Sequence, residues 1–170
     1  MDPQALAQTV LEIFRRNVTE HYFDLSGRVS RPEFWYFILG CVVASLAAAI
    51  IDAIARTGLL VSVLGLALLL PLAGLGARRL QDTGKPGSSV WIAIIPMAVN
   101  RVLVFLLALA GPLGLVSLIF LWPFVGLIGL VTLLAVLWIG YLCAQPGVAG
   151  PNQYGPEPAK PIVPSTTPAT

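Results

Sequence analysis

Phe34-Trp35-Tyr36-Phe37-Ile38-Leu39-Gly40-Cys41-Val42-Val43-Ala44-Ser45-Leu46-Ala47-Ala48-Ala49-Ile50-Ile51 contains no charge and no proline. A helix rises about 1.5 Å per residue, so about 20 apolar residues match the hydrocarbon thickness of a bilayer. The apolar character continues well past this stretch. From Phe34 to Cys143 the only charged residues are Asp52, Arg56, Arg78, Arg79, Asp82, Lys85 and Arg101. The 170-residue chain is 57% hydrophobic and 11% charged, whereas an ordinary globular domain is about 25% charged. A soluble core cannot hide so much apolar surface. The expected fold is an all-α membrane protein with about four transmembrane helices, an N-terminal amphipathic helix and a proline-rich C-terminal tail.

The first span is expected from near Pro32 to about Ala55. Ser30 and Glu33 have capping-box spacing, in which the hydroxyl accepts from the Glu33 N–H and the carboxylate reaches back to Ser30 N–H. Trp35 and Tyr36 fall where an interfacial aromatic belt belongs. The second span runs from Leu59 to about Ala77 with a kink at Pro71. It ends in Arg78-Arg79-Leu80-Gln81-Asp82-Thr83-Gly84-Lys85-Pro86-Gly87, read as a tight polar hairpin. A third span follows from about Ser89 to Ala110, then a turn at Gly111-Pro112-Leu113-Gly114. The fourth, Leu115 to Cys143, is long enough to require tilt or a break at Pro123. An alternative makes Val90–Asn100 re-entrant, with spans starting near Val102 and Pro123.

Outside the spans, residues 3 to about 20 read as a helix with Asp2 as N-cap. Leu6, Val10, Ile13 and Phe14 recur on one face, a pattern suited to the membrane surface or to packing against the protein's own loops. Seven of the 14 prolines lie between Pro146 and Pro168, and the chain is expected to be disordered from about Lys160. The divisions are therefore 1–31 (amphipathic helix and linker), 32–143 (four spans) and 144–170 (tail). The N-terminal residues lack the pattern of a cleavable signal, so the first span is expected to direct its own insertion. Arg15, Arg16, Arg28 and Arg31 precede the first span, and Arg78, Arg79 and Lys85 follow the second. Arg56 alone lies on the other side. The positive-inside rule then places both termini in the cytoplasm.

Several function classes find no support. A net charge of +2 with no basic stripe gives no nucleic-acid surface. Cys41 and Cys143 are isolated apolar fillers. There is no phosphate-binding glycine loop, metal-ligand cluster or catalytic triad, so neither a cofactor nor an enzymatic activity is expected.

Three segments carry a resemblance. They are Ser26-Gly27-Arg28-Val29-Ser30-Arg31-Pro32-Glu33-Phe34-Trp35, Ala77-Arg78-Arg79-Leu80-Gln81-Asp82-Thr83-Gly84-Lys85, and Gly150-Pro151-Asn152-Gln153-Tyr154-Gly155-Pro156-Glu157-Pro158. In order and content they resemble the YhaH-type small bacterial inner-membrane proteins grouped as domain of unknown function 805. The resemblance implies a multi-pass protein of the bacterial inner membrane with its polar motifs in the cytoplasm, and it implies no activity. Gln81 stands where such proteins usually have His, which speaks against a proton-switching or metal role there. Gln153 replaces a commonly basic residue.

Two groups of candidate site residues follow. Arg28, Ser30, Arg31, Glu33, Arg78, Arg79, Asp82, Asn152 and Tyr154 should share the cytoplasmic face. There Asp82 pairs with Arg28 or Arg31, and Tyr154 packs over the aromatics at the foot of the first span. Capping, turn and charge-pair roles account for each residue, so a structural clasp is preferred to a docking site. Within the spans, Asp52, Asn100 and Arg101 are the polar residues whose placement is costly. Asp52 and Arg101 are expected to pair, the alternative being that each reaches the outer surface separately. The leading functional expectation is an accessory or scaffold subunit that packs against membrane proteins or against itself. The alternative is a small transporter or channel component using Asp52, Asn100 and Arg101.

Overall fold

The computed structural model describes residues 3–109 and 111–158, giving the backbone alone for 107, 108, 111–120 and 122. It is all-helical: α1 (Pro3–Thr19), α2 (Arg31–Ala55), α3 (Leu59–Ala67), α4 (Leu69–Asp82), α5 (Trp91–Leu109) and α6 (Gly111–Ala144), with a 3-10 turn at Gly87–Val90 before α5. Among the described residues, four stretches are long and apolar enough to cross a membrane: Arg31–Ala55, Leu59–Asp82, Gly87–Leu106 and Pro123–Ala144.

Asp2 and the residues from Lys160 onward, expected as a helix cap and as disordered tail, lie outside the described residues. Elsewhere several boundaries move. The second span breaks at Leu68, which joins α3 to α4, and helix continues through Arg78 and Arg79 to Asp82. The polar hairpin is thus only Thr83 to Pro86, and the two arginines are buried rather than displayed. Helix α5 is continuous from Trp91 through Pro96 to Leu109, so Val90–Asn100 forms no re-entrant turn. Gly111 to Gly114 is the first turn of α6 rather than a loop, and Pro123 lies inside α6 without breaking it.

The capping box at α2 is half made. Ser30 Oγ accepts from Glu33 N–H at 3.5 Å, but the Glu33 carboxylate pairs with Arg16 of α1 instead of reaching back. That ion pair and the stacked rings of Phe14 and Phe37 hold α1 on α2.

Helix α4 is the centre of the molecule. Ala73 to Leu80 are all buried, along with Leu69, Pro71 and Asp82. The 20–29 segment, the 3-10 turn and the end of α6 surround it. Gly74 lets the backbone of Asp24 lie directly on α4, where any Cβ would meet the Asp24 carbonyl at 2.8 Å. Helices α5 and α6 pack closely as a hairpin, α3 joins α2 to α5, and α2 makes no more than incidental contact with α6. The core gathers at the α4 end of the bundle around Phe37, Leu75, Leu80 and Cys143. The lengths of α2 and α6 beyond it expose apolar side chains such as Ile50, Ile54, Leu133 and Leu137.

Candidate functional site

The charges at the lower end of α4 converge on Asp82. Its carboxylate, 3% exposed as a residue, accepts from Arg28 Nε at 3.0 Å and from Arg79 Nη1. Two guanidinium groups around one carboxylate leave a surplus donor capacity, which the backbone absorbs. Arg79 Nε donates to the Cys143 carbonyl at 2.8 Å, Nη2 to Gln145 O, and Nη1 also to Val29 O at 3.3 Å. The last four carbonyls of a helix have no intrahelical partner and carry the negative end of its dipole. Arg79 therefore caps the C-terminus of α6 from a different helix.

Arg28 does the same for the tail. Its Nη1 donates to Gly150 O at 2.6 Å and to Gly155 O at 3.4 Å, and its Nη2 donates to Val148 O. Val148 N–H returns a bond to the Asp82 carbonyl at 2.9 Å. Asn152 Nδ2 donates to Gln81 O at 3.0 Å, and Lys85 Nζ holds Gln145 Oε1. The tail passes so close that Gly147 is needed, because a Cβ there would run into the Asp82 carboxylate. Residues from three remote stretches, 28, 79–85 and 145–155, are thereby tied into one knot.

The other expected site residues go elsewhere. Asn152 and Gly155 pair through their backbones, and Tyr154 N–H donates to Asn152 Oδ1 at 2.8 Å in an Asx turn. No ring contact links Tyr154 to Phe34 or Trp35 among the described residues. Arg31 starts α2 and is exposed, with no hydrogen bond or ion pair among the described residues. Arg78, 6% exposed, turns to the α1 side and donates from Nη2 to Asn17 Oδ1 at 2.8 Å. Asn17 itself is fully buried and donates to Ile13 O. Nothing local in the sequence signals the partner of Asn17, which lies 61 residues away.

On the same side, Asp24 accepts from Ser26 N–H at 3.1 Å and Ser26 Oγ at 3.0 Å. Partial burial acts to raise its pKa. The two Ser26 bonds and the charges of Arg78 and His21 outweigh that, so the Asp24 carboxyl lies below its ordinary value.

At the opposite end, Asp52 does not pair with Arg101. Its carboxylate accepts from Thr57 Oγ1 at 2.6 Å, Leu60 N–H at 3.1 Å and Val61 N–H at 2.7 Å. The N-cap position of α3 is Gly58, which has no side chain to cap it, and Asp52 supplies the missing acceptor from the end of α2. Arg101 lies flat on α3 one turn further along, where the absence of a side chain at Gly65 makes room for the guanidinium. Asn100 is half-buried on α5 beside it.

These features define a polytopic helical membrane protein whose buried charges, Asp52, Arg78, Arg79 and Asp82, lie near the ends of its helices. The chain belongs to the family described as a protein of unknown function, DUF805, whose model matches residues 22–156. It is similar to the inner membrane protein YhaH of Escherichia coli strain K12, at 26% identity over 147 residues that cover 83% of this chain and 92% of the relative. The YhaH protein of Escherichia coli O157:H7 matches to the same extent. No solved structure matches.

Proposed function

We propose that this chain is a non-enzymatic accessory or scaffold subunit of the bacterial inner membrane, with both termini in the cytoplasm. The observation that carries this reading is how the charges around Asp82 are used. Arg28 and Arg79 direct their donors to carbonyls and a carboxylate of the same chain, so they fix geometry rather than present groups to a substrate. The long apolar faces of α2 and α6 are left for lipid and for other membrane helices, or for a second copy. The likeness to a named inner-membrane protein supports the location. The excess of Arg and Lys at the clasp end supports the orientation. Helix α1 fits the membrane interface: Leu6, Val10 and Phe14 face Leu39, Val43 and Ala47 of α2 across an apolar wedge. A transport role would draw on Asp52, Asn100 and Arg101, but the oxygens of Asp52 are already committed to the cap of α3.

The test compares folding with assembly. Asp82→Asn and Arg79→Gln should lower the melting temperature and the yield of any co-purifying membrane complex in parallel. A substituted chain that keeps its melting temperature and loses its partner would show that the cluster is a recognition site. For orientation, with native cysteines removed, an impermeant thiol reagent on spheroplasts should label a cysteine placed at Thr57 and spare one at Gln153.

A further inference from the structure

Helices α2 and α6 stand apart, and the space between them has two storeys. Within the spans it is an apolar groove of about 450 Å³, walled by Trp35 and Ile38 of α2 and by Val136, Gly140 and Tyr141 of α6, with α4 and α5 behind. Immediately below, between the start of α2 and the chain leaving α6, lies a polar cavity of about 520 Å³ lined by Arg28, Arg31, Arg79, Asp82, Gly147 and Glu157. The two storeys are lined by different residues of the same helices: α2 gives Arg31 and Pro32 to the lower and Trp35 and Ile38 to the upper, and α4 gives Arg79 and Asp82 to the lower and Leu72 and Gly76 to the upper. Arg31 and Trp35 are four residues apart and so lie on one face of α2, and Pro146 lies two residues beyond the end of α6, which carries Tyr141. Of the charges in the lower storey, Arg28 and Arg79 are held by Asp82 and by backbone carbonyls. Glu157 accepts from Gly150 N–H. Arg31 is the cation with no partner among the described residues.

We propose that this cleft binds a phospholipid with an anionic headgroup, taken from the leaflet that borders the clasp. Its acyl chain lies in the groove between Ile38 and Val136, and its phosphate sits over Arg31. An apolar slot that opens into hydrocarbon is filled by whatever the bilayer offers, and the charge at its foot selects among candidates. A transmembrane helix would fill the slot, but only one with an acidic group at the matching depth would also meet Arg31. A lipid supplies both ends at once. Basic pockets between spans at the membrane surface are a recognised geometry for acidic headgroups. Trp35, 42% exposed, and Tyr141, 61% exposed, stand where headgroup and chain meet.

The experiment is native mass spectrometry of the full chain in mild detergent with equal amounts of phosphatidylglycerol and phosphatidylcholine. The expected result is a preference for phosphatidylglycerol of roughly fivefold, the factor that one basic residue near an anionic surface contributes. Arg31→Gln should bring the ratio to about one, and Arg31→Lys should preserve it. Gly140→Leu should reduce retention of both lipids. Gly140 lines the groove and a Cβ there meets nothing within 4 Å, so the added side chain starts into open space, and an unchanged melting temperature is required to show that the bundle is intact. A ratio near one in the unsubstituted chain, or a preference that survives Arg31→Gln, would overturn the proposal. So would a dimer that Gly140→Leu converts to monomer with lipid retention unchanged, since the cleft would then hold a second copy.

Discussion

The Tyr22 hydroxyl donates to the carbonyl of Ala67 at 2.7 Å, the carbonyl that Pro71, four residues on, has no N–H to reach. A proline inside a helix leaves that acceptor open, and in an apolar setting an open carbonyl is costly. Here a residue from the segment between α1 and α2 closes it, at the point where α3 gives way to α4. The break in the second span and the path of the 20–29 segment are therefore one feature, reinforced by the contact of Asp24 with Gly74.

Tyr22→Phe removes this bond and keeps the ring. The expected cost is about 1 kcal/mol, read as a fall of roughly 2–4 °C in the melting temperature of the purified chain. The protection of amides near Leu68 in hydrogen exchange should drop in step. A melting temperature and exchange pattern identical to wild type would mean that the helix break holds without Tyr22.

Asp82 is the pivot of the lower end, and its removal leaves two buried guanidinium groups without their counter-charge. Breaking a buried pair by deleting one partner costs about 3–5 kcal/mol, so Asp82→Ala should be among the most destabilising single changes in the chain. Arg28→Gln should act more locally, because Arg28 holds Val148, Gly150 and Gly155. Limited proteolysis should then cut within 146–158 at protease levels that spare the wild type, while the melting temperature falls less than for Asp82→Ala.

The spans were legible because a 20-residue apolar run admits few alternatives, and the helix start at Arg31 followed from the Ser30 cap and the proline rule. The three polar motifs were legible as a group, and the structure brings Arg28, Arg79, Asp82 and Asn152 together. What local reading missed has a single physical character. Asp52 caps α3 from the end of α2, Arg79 caps α6, Tyr22 fills the gap left by Pro71, and Asn17 receives Arg78. Each joins a helix end, a helix break or a buried guanidinium to a side chain whose position the three-dimensional packing decides. Arg78 and Arg79 also misled, because arginines at the end of an apolar run suit an exposed helix terminus as well as a buried one.

Asp24 ties the 20–29 segment to Ser26, and its carboxyl titrates below the ordinary value. A depressed folded-state pKa means that the stabilisation is present above the unfolded carboxylate value of about 3.9 and is lost as pH falls through the lower folded value. Melting temperatures of the wild type and Asp24→Asn should therefore differ at neutral pH and converge on acidification below about pH 4. The gap should be small, since the Asp24 side chain is 38% exposed. A difference independent of pH would assign the effect to packing rather than to charge.

Asp52 and Arg101 decide between an intramembrane ion pair and two separate roles. Asp52 binds two N–H groups at the start of α3 and the Thr57 hydroxyl, whereas Arg101 rests on Gly65 further along the same helix. Loss of a helix cap costs about 0.5–2 kcal/mol, so Asp52→Ala should destabilise the chain by that amount with Arg101 present or absent. Arg101→Gln should cost less, since it gives up packing on α3 but no hydrogen bond to a described residue. In a double-mutant cycle the two losses should add to within about 0.5 kcal/mol, as independent sites do. Thr57→Val should reproduce part of the Asp52→Ala effect, because it removes a donor to the same carboxylate. A coupling energy well above that limit, with Asp52→Ala harmless once Arg101 is gone, would restore the ion pair as the reason both charges lie within the spans.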